Sequence, residues 1–282
     1  EGPGFPELVK GGALGVVGGQ LVYVGGMNYP WRESAAAYAF DPRLGHWEPL
    51  PDMPEGRVYT AGVSAGDSFY VVGGRFEGQT RGECFRLSRG AAGWEWSRIA
   101  SLNEPRGWSG VATDGDHILC IGGNRSRPGE EMCSERSTVS TVEGYRIRDP
   151  GAGWFTLPPL PGPPRGWLPS AYARGRFFVF GGGHFKVVEG ARSNVRAREA
   201  YAFDAAGQQW SRIADLPEAL SGAAAVTYQD RYIIIVGGCA GDARQVFDAR
   251  LNRTVGEYND LVWLYDVQTD TYAASDGHLP HG

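Results

Sequence analysis

The sequence predicts an all-β fold of five repeated four-stranded units, and three observations lead there. Diglycines stand at Gly25-Gly26, Gly73-Gly74, Gly122-Gly123, Gly181-Gly182 and Gly237-Gly238, at intervals of 48, 49, 59 and 56 residues. Each pair closes a short β-branched or aromatic run of the kind that forms a buried strand. Each is followed by an aromatic strand and then by another aromatic six to nine residues on.

The first unit, about 11–50, has Leu21-Val22-Tyr23-Val24 before its diglycine, then Tyr38-Ala39-Phe40-Asp41 and Trp47. The second, about 57–99, has Phe69-Tyr70-Val71-Val72, then Phe85 with Trp94 and Trp96. The third, about 106–157, has Ile118-Leu119-Cys120-Ile121, then Tyr145 and Trp154. The fourth, about 165–213, has Phe177-Phe178-Val179-Phe180, then Tyr201-Ala202-Phe203-Asp204 and Trp210. The fifth, about 221–276, has Ile233-Ile234-Ile235-Val236, then Leu264-Tyr265-Asp266 and Tyr272.

Diglycine, Tyr and Trp at a period near fifty resemble the kelch repeat over essentially the whole chain. The resemblance implies a single β-propeller domain over 1–282, each blade a four-stranded antiparallel sheet around a central channel. The diglycines and most of the Tyr and Trp residues are then packing elements. Five blades are visible, and the tail Asp276-Gly277-His278-Leu279-Pro280 resembles a connector into another blade, so the five could belong to a six-bladed ring.

With 43 glycines and 42% hydrophobic residues, the composition suits a core interrupted by frequent turns. A net charge of -5 argues against a nucleic-acid binder, and no segment is long enough to insert in a membrane. The chain begins at Glu1 without an apolar leader. Compartment is unassigned, with a periplasmic or secreted location favoured if a signal has been removed. Cys84, Cys120, Cys133 and Cys239 have no metal-like spacing, and a Cys84–Cys133 or Cys133–Cys239 disulfide stands beside the alternative of buried thiols. No metal or cofactor is expected.

Arg57, Arg106 and Arg165 each stand 16 residues before their blade's first diglycine glycine, and each is followed two residues later by an aromatic: Tyr59, Trp108 and Trp167. On an extended inner strand, residues two apart share a face, so guanidinium and ring should project together at the channel mouth. Such a rim suits a carboxylate on an apolar body, namely an anionic sugar or an acidic peptide. The alternative is that the arginines bridge neighbouring blades. Blades one and five have Val9 and Ser221 at this position.

Residues 124–143, 183–199 and 239–259 read as loops of about twenty residues at the same end. His184, directly after Gly181-Gly182-Gly183, leads the acid–base candidates, which include Glu33, Glu77, Glu130, Glu131, Glu135, Glu189, Asp242 and Glu257. The segment Phe180–Lys186 is similar to a loop of the bacterial N-acetylneuraminate epimerases, which implies a sialic acid mutarotase with arginines on the carboxylate. That family is expected to carry an acidic residue near a diglycine with an arginine several positions on, and Glu77 with Arg81 approximates this, making Glu77 a second catalytic candidate. A noncatalytic kelch module binding an acidic peptide or protein is the alternative. A remote third is a copper-radical oxidase related to galactose oxidase, against which five scattered histidines argue.

Overall fold

The computed structural model describes residues 4–7, 9–28, 30–126, 134–188, 191–240, 246–248, 253–255 and 261–278. Five antiparallel sheets of four strands account for the repeats. The first is Ala13–Val17, Gln20–Val24, Ala37–Asp41 and His46–Leu50, and the second Ala61–Ala65, Ser68–Val72, Cys84–Gly90 and Gly93–Ile99. The third is Gly110–Thr113, His117–Asn124, Thr138–Arg146 and Trp154–Leu157, and the fourth Ser170–Ala173, Arg176–Phe180, Ala200–Asp204 and Gln209–Ile213. The fifth is Ala224–Tyr228, Tyr232–Val236, Leu261–Asp266 and Thr271–His278.

The chain divides into two compact units. One comprises Glu1–Cys120, Arg125–Glu130 and Glu143–Thr156, the other Ile121–Asn124, Glu131–Val142 and Leu157–Gly282. In the first, Val22, Val24, Phe69, Val71, Phe85 and Leu87 form one buried cluster, and Tyr70, Val72, Ile118, Tyr145 and Trp154 another. In the second, Phe178, Phe180, Leu216, Leu220, Ile233, Ile235 and Tyr265 are buried together. These are the β-branched and aromatic runs that precede the diglycines, joined by the aromatics that follow them.

The late aromatics of several repeats tie one sheet to the connector before it. The Trp96 indole donates to the Pro51 carbonyl at 2.8 Å and Trp154 to Ala100 at 2.8 Å in the first unit, and Trp210 donates to Pro158 at 2.9 Å in the second. Each ring is thus wedged between sheets with its N–H satisfied.

The segments read as long loops are partly strand. Gly183–Val188 and Ala191–Arg196 form a hairpin in which His184 faces Val195 and Phe185 faces Asn194. Thr138 already belongs to a strand, Cys239–Ala240 pairs with Leu220–Ser221, and Val246–Asp248 pairs with Arg253–Val255. Residues such as Phe185, Val187 and Val195 favour pairing over an open loop. Cys84, Cys120 and Cys239 are free thiols, with burial pushing Cys84 up to about 12, while Cys133 lies outside the described residues.

Candidate functional site

The three Arg–aromatic pairs are built on a turn, which corrects the expectation of a shared strand face. Tyr59, Trp108 and Trp167 have φ of 54°, 55° and 53°, and the inner strands begin only at Ala61, Gly110 and Ser170. A left-handed residue breaks the two-residue alternation, so ring and guanidinium part company. The guanidinium goes inward: Arg57 and Arg106 are 0% exposed and Arg165 2%. Leu220, not Ser221, takes the fifth position, because its carbonyl accepts from the preceding diglycine (Gly182 N–H, 2.8 Å) as the Arg57 and Arg106 carbonyls do from Gly26 and Gly74.

In the first unit both buried arginines are neutralised within the fold. Arg57 pairs with Glu55 and approaches Glu83 at 3.5 Å. Arg106 meets Glu104 at 3.3 Å and Glu143 at 2.7 Å, and Glu143 also accepts from the backbone N–H of Asn103 and Glu104. These contacts make the two side chains internal bridges. Their partners Tyr59 and Trp108 stack on each other, 4.4 Å between centroids and 21° between planes.

Arg165, in the second unit, is different. Pro163 stands where Glu55 and Glu104 stand two residues before the other arginines. The backbone bonds Leu102→Gly82, Leu160→Ser140 and Leu216→Arg198 align the third strands, so that Tyr201 occupies the place of Glu143. The Tyr201 ring lies 5.4 Å from the Arg165 guanidinium carbon. Arg165 Nη1 reaches the Pro161 and Pro163 carbonyls at 3.5 and 3.4 Å and the guanidinium interacts with the Tyr201 hydroxyl, while Nε and Nη2, like those of Arg57, are buried with no hydrogen-bond partner among the described residues; what sets Arg165 apart is the lack of an upstream carboxylate.

Arg165 lines a cavity of about 110 Å³ together with Pro163, His184, Arg196 and Glu199. His184 is 9% exposed, and burial holds its pKa below the usual histidine value, opposed by Glu135 and assisted by Lys186. Its imidazole is therefore neutral near pH 7 and able to accept a proton. The same hairpin borders a second cavity of about 310 Å³, lined by Trp167, Phe185, Asn194, Ser221, Gly222, Gly238 and Cys239. Trp167 and Phe185 meet there edge to face at 5.4 Å, and the Asn194 amide oxygen is buried without a hydrogen-bond partner among the described residues.

Among the candidates read from the sequence, Arg165, Trp167 and His184 thus border neighbouring cavities of one unit. Glu77 lies in the first unit at an exposed turn, 3.8 Å from Arg81, and Glu33 is 3.7 Å from Arg75. Glu130, Glu131, Glu189, Asp242 and Glu257 lie outside the described residues. Arg196, Glu199 and Asn194 escaped the sequence reading. Glu199 was within reach of it, since it stands two residues before Tyr201 as Glu83 stands two before Phe85. Arg196 and Asn194 need the hairpin register, which places them opposite Gly183 and Phe185. Among the described residues no three His, Cys, Asp or Glu side chains cluster as metal ligands.

The repeats and the five four-stranded antiparallel sheets are consistent with the blades of a kelch propeller. Residues 10–54 match the kelch motif. The chain is 29% identical to the Kelch-like protein terF of Aspergillus terreus over 83% of its own length and 50% of that protein's, and 28% identical to mouse Kelch-like protein 36 over 73% of its own length and 31% of that protein's. It is distantly similar to the N-acetylneuraminate epimerase of Yersinia pestis, 33% identical over 46% of this chain and 38% of that one. It therefore spans half or less of the length of these relatives. The solved structure of YjhT superposes with a TM-score of 0.75 at 13% identity, covering 97% of this chain and 86% of that one, a likeness of fold.

Proposed function

We propose that the second unit binds a carboxylate-bearing sugar, such as a sialic acid, and interconverts its anomers. The observation that carries this reading is the placing of the aromatic cavity of Trp167 and Phe185 on the same hairpin as the cavity of Arg165 and His184. Ring C–H faces stack on Trp167, and a sugar N–H or O–H meets the buried Asn194 oxygen. Arg165 receives the carboxylate. His184, neutral and without a proton on one ring nitrogen, takes the proton of the anomeric hydroxyl as the ring C–O bond breaks. The ring oxygen gains a proton from water, and reclosure on the other carbonyl face reverses both transfers. The similarity to an N-acetylneuraminate epimerase supports the same substrate class.

The test is proton NMR saturation exchange on N-acetylneuraminate with and without the protein. Anomer exchange above the spontaneous rate, lost in His184→Ala, supports the enzyme; sugar line broadening without exchange reduces the reading to binding. A second reading, an acidic-peptide module, draws on the first unit, where Trp31 is 62% exposed with the Lys10 ammonium 4.3 Å above its ring. Absence of any effect on the sugar, with binding of a Glu-rich peptide, would favour it.

A further inference from the structure

We infer that the larger cavity of the second unit is a slot for a flat aromatic ring, opened on the face of Trp167 by the glycine at position 222. The inference goes beyond the sugar reading above and stands on the packing of the turn residues; only the competition between the two ligands rests on that reading.

One backbone hydrogen bond joins the turn residues of consecutive repeats. The N–H of Tyr59 donates to the Gly11 carbonyl at 2.6 Å, that of Trp108 to Tyr59 at 2.9 Å, and that of Gly222 to Trp167 at 2.9 Å. All of these residues have left-handed φ, from 53° to 73°. Where the later residue of such a pair carries a ring, the ring covers the earlier one. A Cβ on Gly11 would stand 2.9 Å from the Tyr59 ring, and the Trp108 ring lies on that of Tyr59 with 4.4 Å between centroids. In the second unit the later residue is Gly222, which has no ring to lay on Trp167.

Space is left as a result. Apart from its chain neighbours, a Cβ on Gly222 would meet among the described residues only Trp167 Cδ1 within 4 Å, at 3.9 Å. The cavity there measures about 310 Å³, near the lower bound for pockets that hold a small molecule. Trp167 and Phe185 supply apolar walls, and among the described residues no charged side chain lines it, which suits a neutral ring. The Asn194 amide oxygen, buried without a hydrogen-bond donor among the described residues, favours a ring that carries an N–H. What Trp108 does for Tyr59 within the fold, such a ligand does for Trp167.

Calorimetric titration of the whole protein with indole tests the slot. Expected is saturable binding. Gly222→Ala, whose methyl group would only touch Trp167, should keep the affinity within about two-fold, while Gly222→Trp, which supplies the covering ring, should weaken it about ten-fold or more. Gly222→Tyr, with the smaller ring that the second repeat carries at this turn, keeps the test decisive if Gly222→Trp does not fold. Absence of saturable indole binding, or equal affinity in Gly222→Ala and the ring variant, would overturn the slot. Displacement of indole by N-acetylneuraminate would support the slot and the sugar reading together. Indole binding that is lost in the ring variant but unmoved by N-acetylneuraminate would uphold the slot and remove the sugar from Trp167.

Discussion

The Arg57 carbonyl accepts a hydrogen bond from the Gly26 N–H at 2.6 Å, docking the start of one repeat onto the diglycine of the repeat before it. The neighbouring Gly25 has φ +70°, and a Cβ there would sit 2.7 Å from the same oxygen. The diglycines thus serve close backbone approach as well as positive φ.

Gly25→Ala should therefore destabilise the protein by at least about 2 kcal/mol, the left-handed cost plus a backbone clash. Gly45 has the same φ of +70° with nothing within 4 Å of a Cβ. Gly45→Ala isolates the conformational cost of about 1–2 kcal/mol. Urea unfolding of the two variants measures the difference, and equal losses would show that the approach to Arg57 is unimportant.

Burial decides what removal of each arginine does. Arg106→Ala leaves Glu143, 4% exposed at its side chain, without its cation, and should cost about 3–5 kcal/mol of folding stability. Arg165→Met removes a buried cation with no carboxylate hydrogen-bonded to it among the described residues, and should cost less than about 1 kcal/mol while abolishing ligand binding. Comparable destabilisation of both would mean that Arg165 is a structural bridge like its counterparts.

Burial keeps the folded-state pKa of His184 below its unfolded value near 6.5. Between those two values the unfolded chain binds more protons, so this group makes stability rise with pH up to about 6.5 and adds no slope above. His184→Gln should flatten that part of the pH–stability curve. An anion in the adjacent cavity favours the imidazolium, so formate should raise the pKa seen by imidazole NMR.

The repeats were legible because their signals are local: each diglycine ends a run of strand-forming residues, and Trp94, Trp154 and Trp210 each stand nine residues after Phe85, Tyr145 and Tyr201. Arg57, Arg106 and Arg165 were visible as a pattern, but not their orientation, since the left-handed φ of Tyr59, Trp108 and Trp167 leaves no mark on residues that are not glycine. The difference between the bridged arginines and Arg165 was written in Glu55, Glu104 and Pro163. It acquires meaning only when the ion pairs that Arg57 and Arg106 make with those carboxylates are seen. Arg196 and Asn194 reach the cavities through a hairpin whose segment, rich in charged and polar residues, reads as a loop.

Trp167 holds φ 53°, at a turn position where blades one and five have Gly11 and Gly222, with φ 73° and 72°. The Trp167 carbonyl accepts from Gly222 at 2.9 Å, as that of Gly11 does from Tyr59 at 2.6 Å, so the turn is the same with or without a side chain. A bulky residue in this conformation costs about 1–2 kcal/mol that glycine avoids. Its ring recovers part of this against Phe185 while forming a wall of the larger cavity. Trp167→Gly should consequently be better tolerated than Trp167→Ala, which loses the same ring but keeps the strain, by about 1 kcal/mol in urea unfolding. Both should lose N-acetylneuraminate line broadening. Sugar binding that survives in Trp167→Gly would remove the ring from the site and leave its strained backbone without a functional reason.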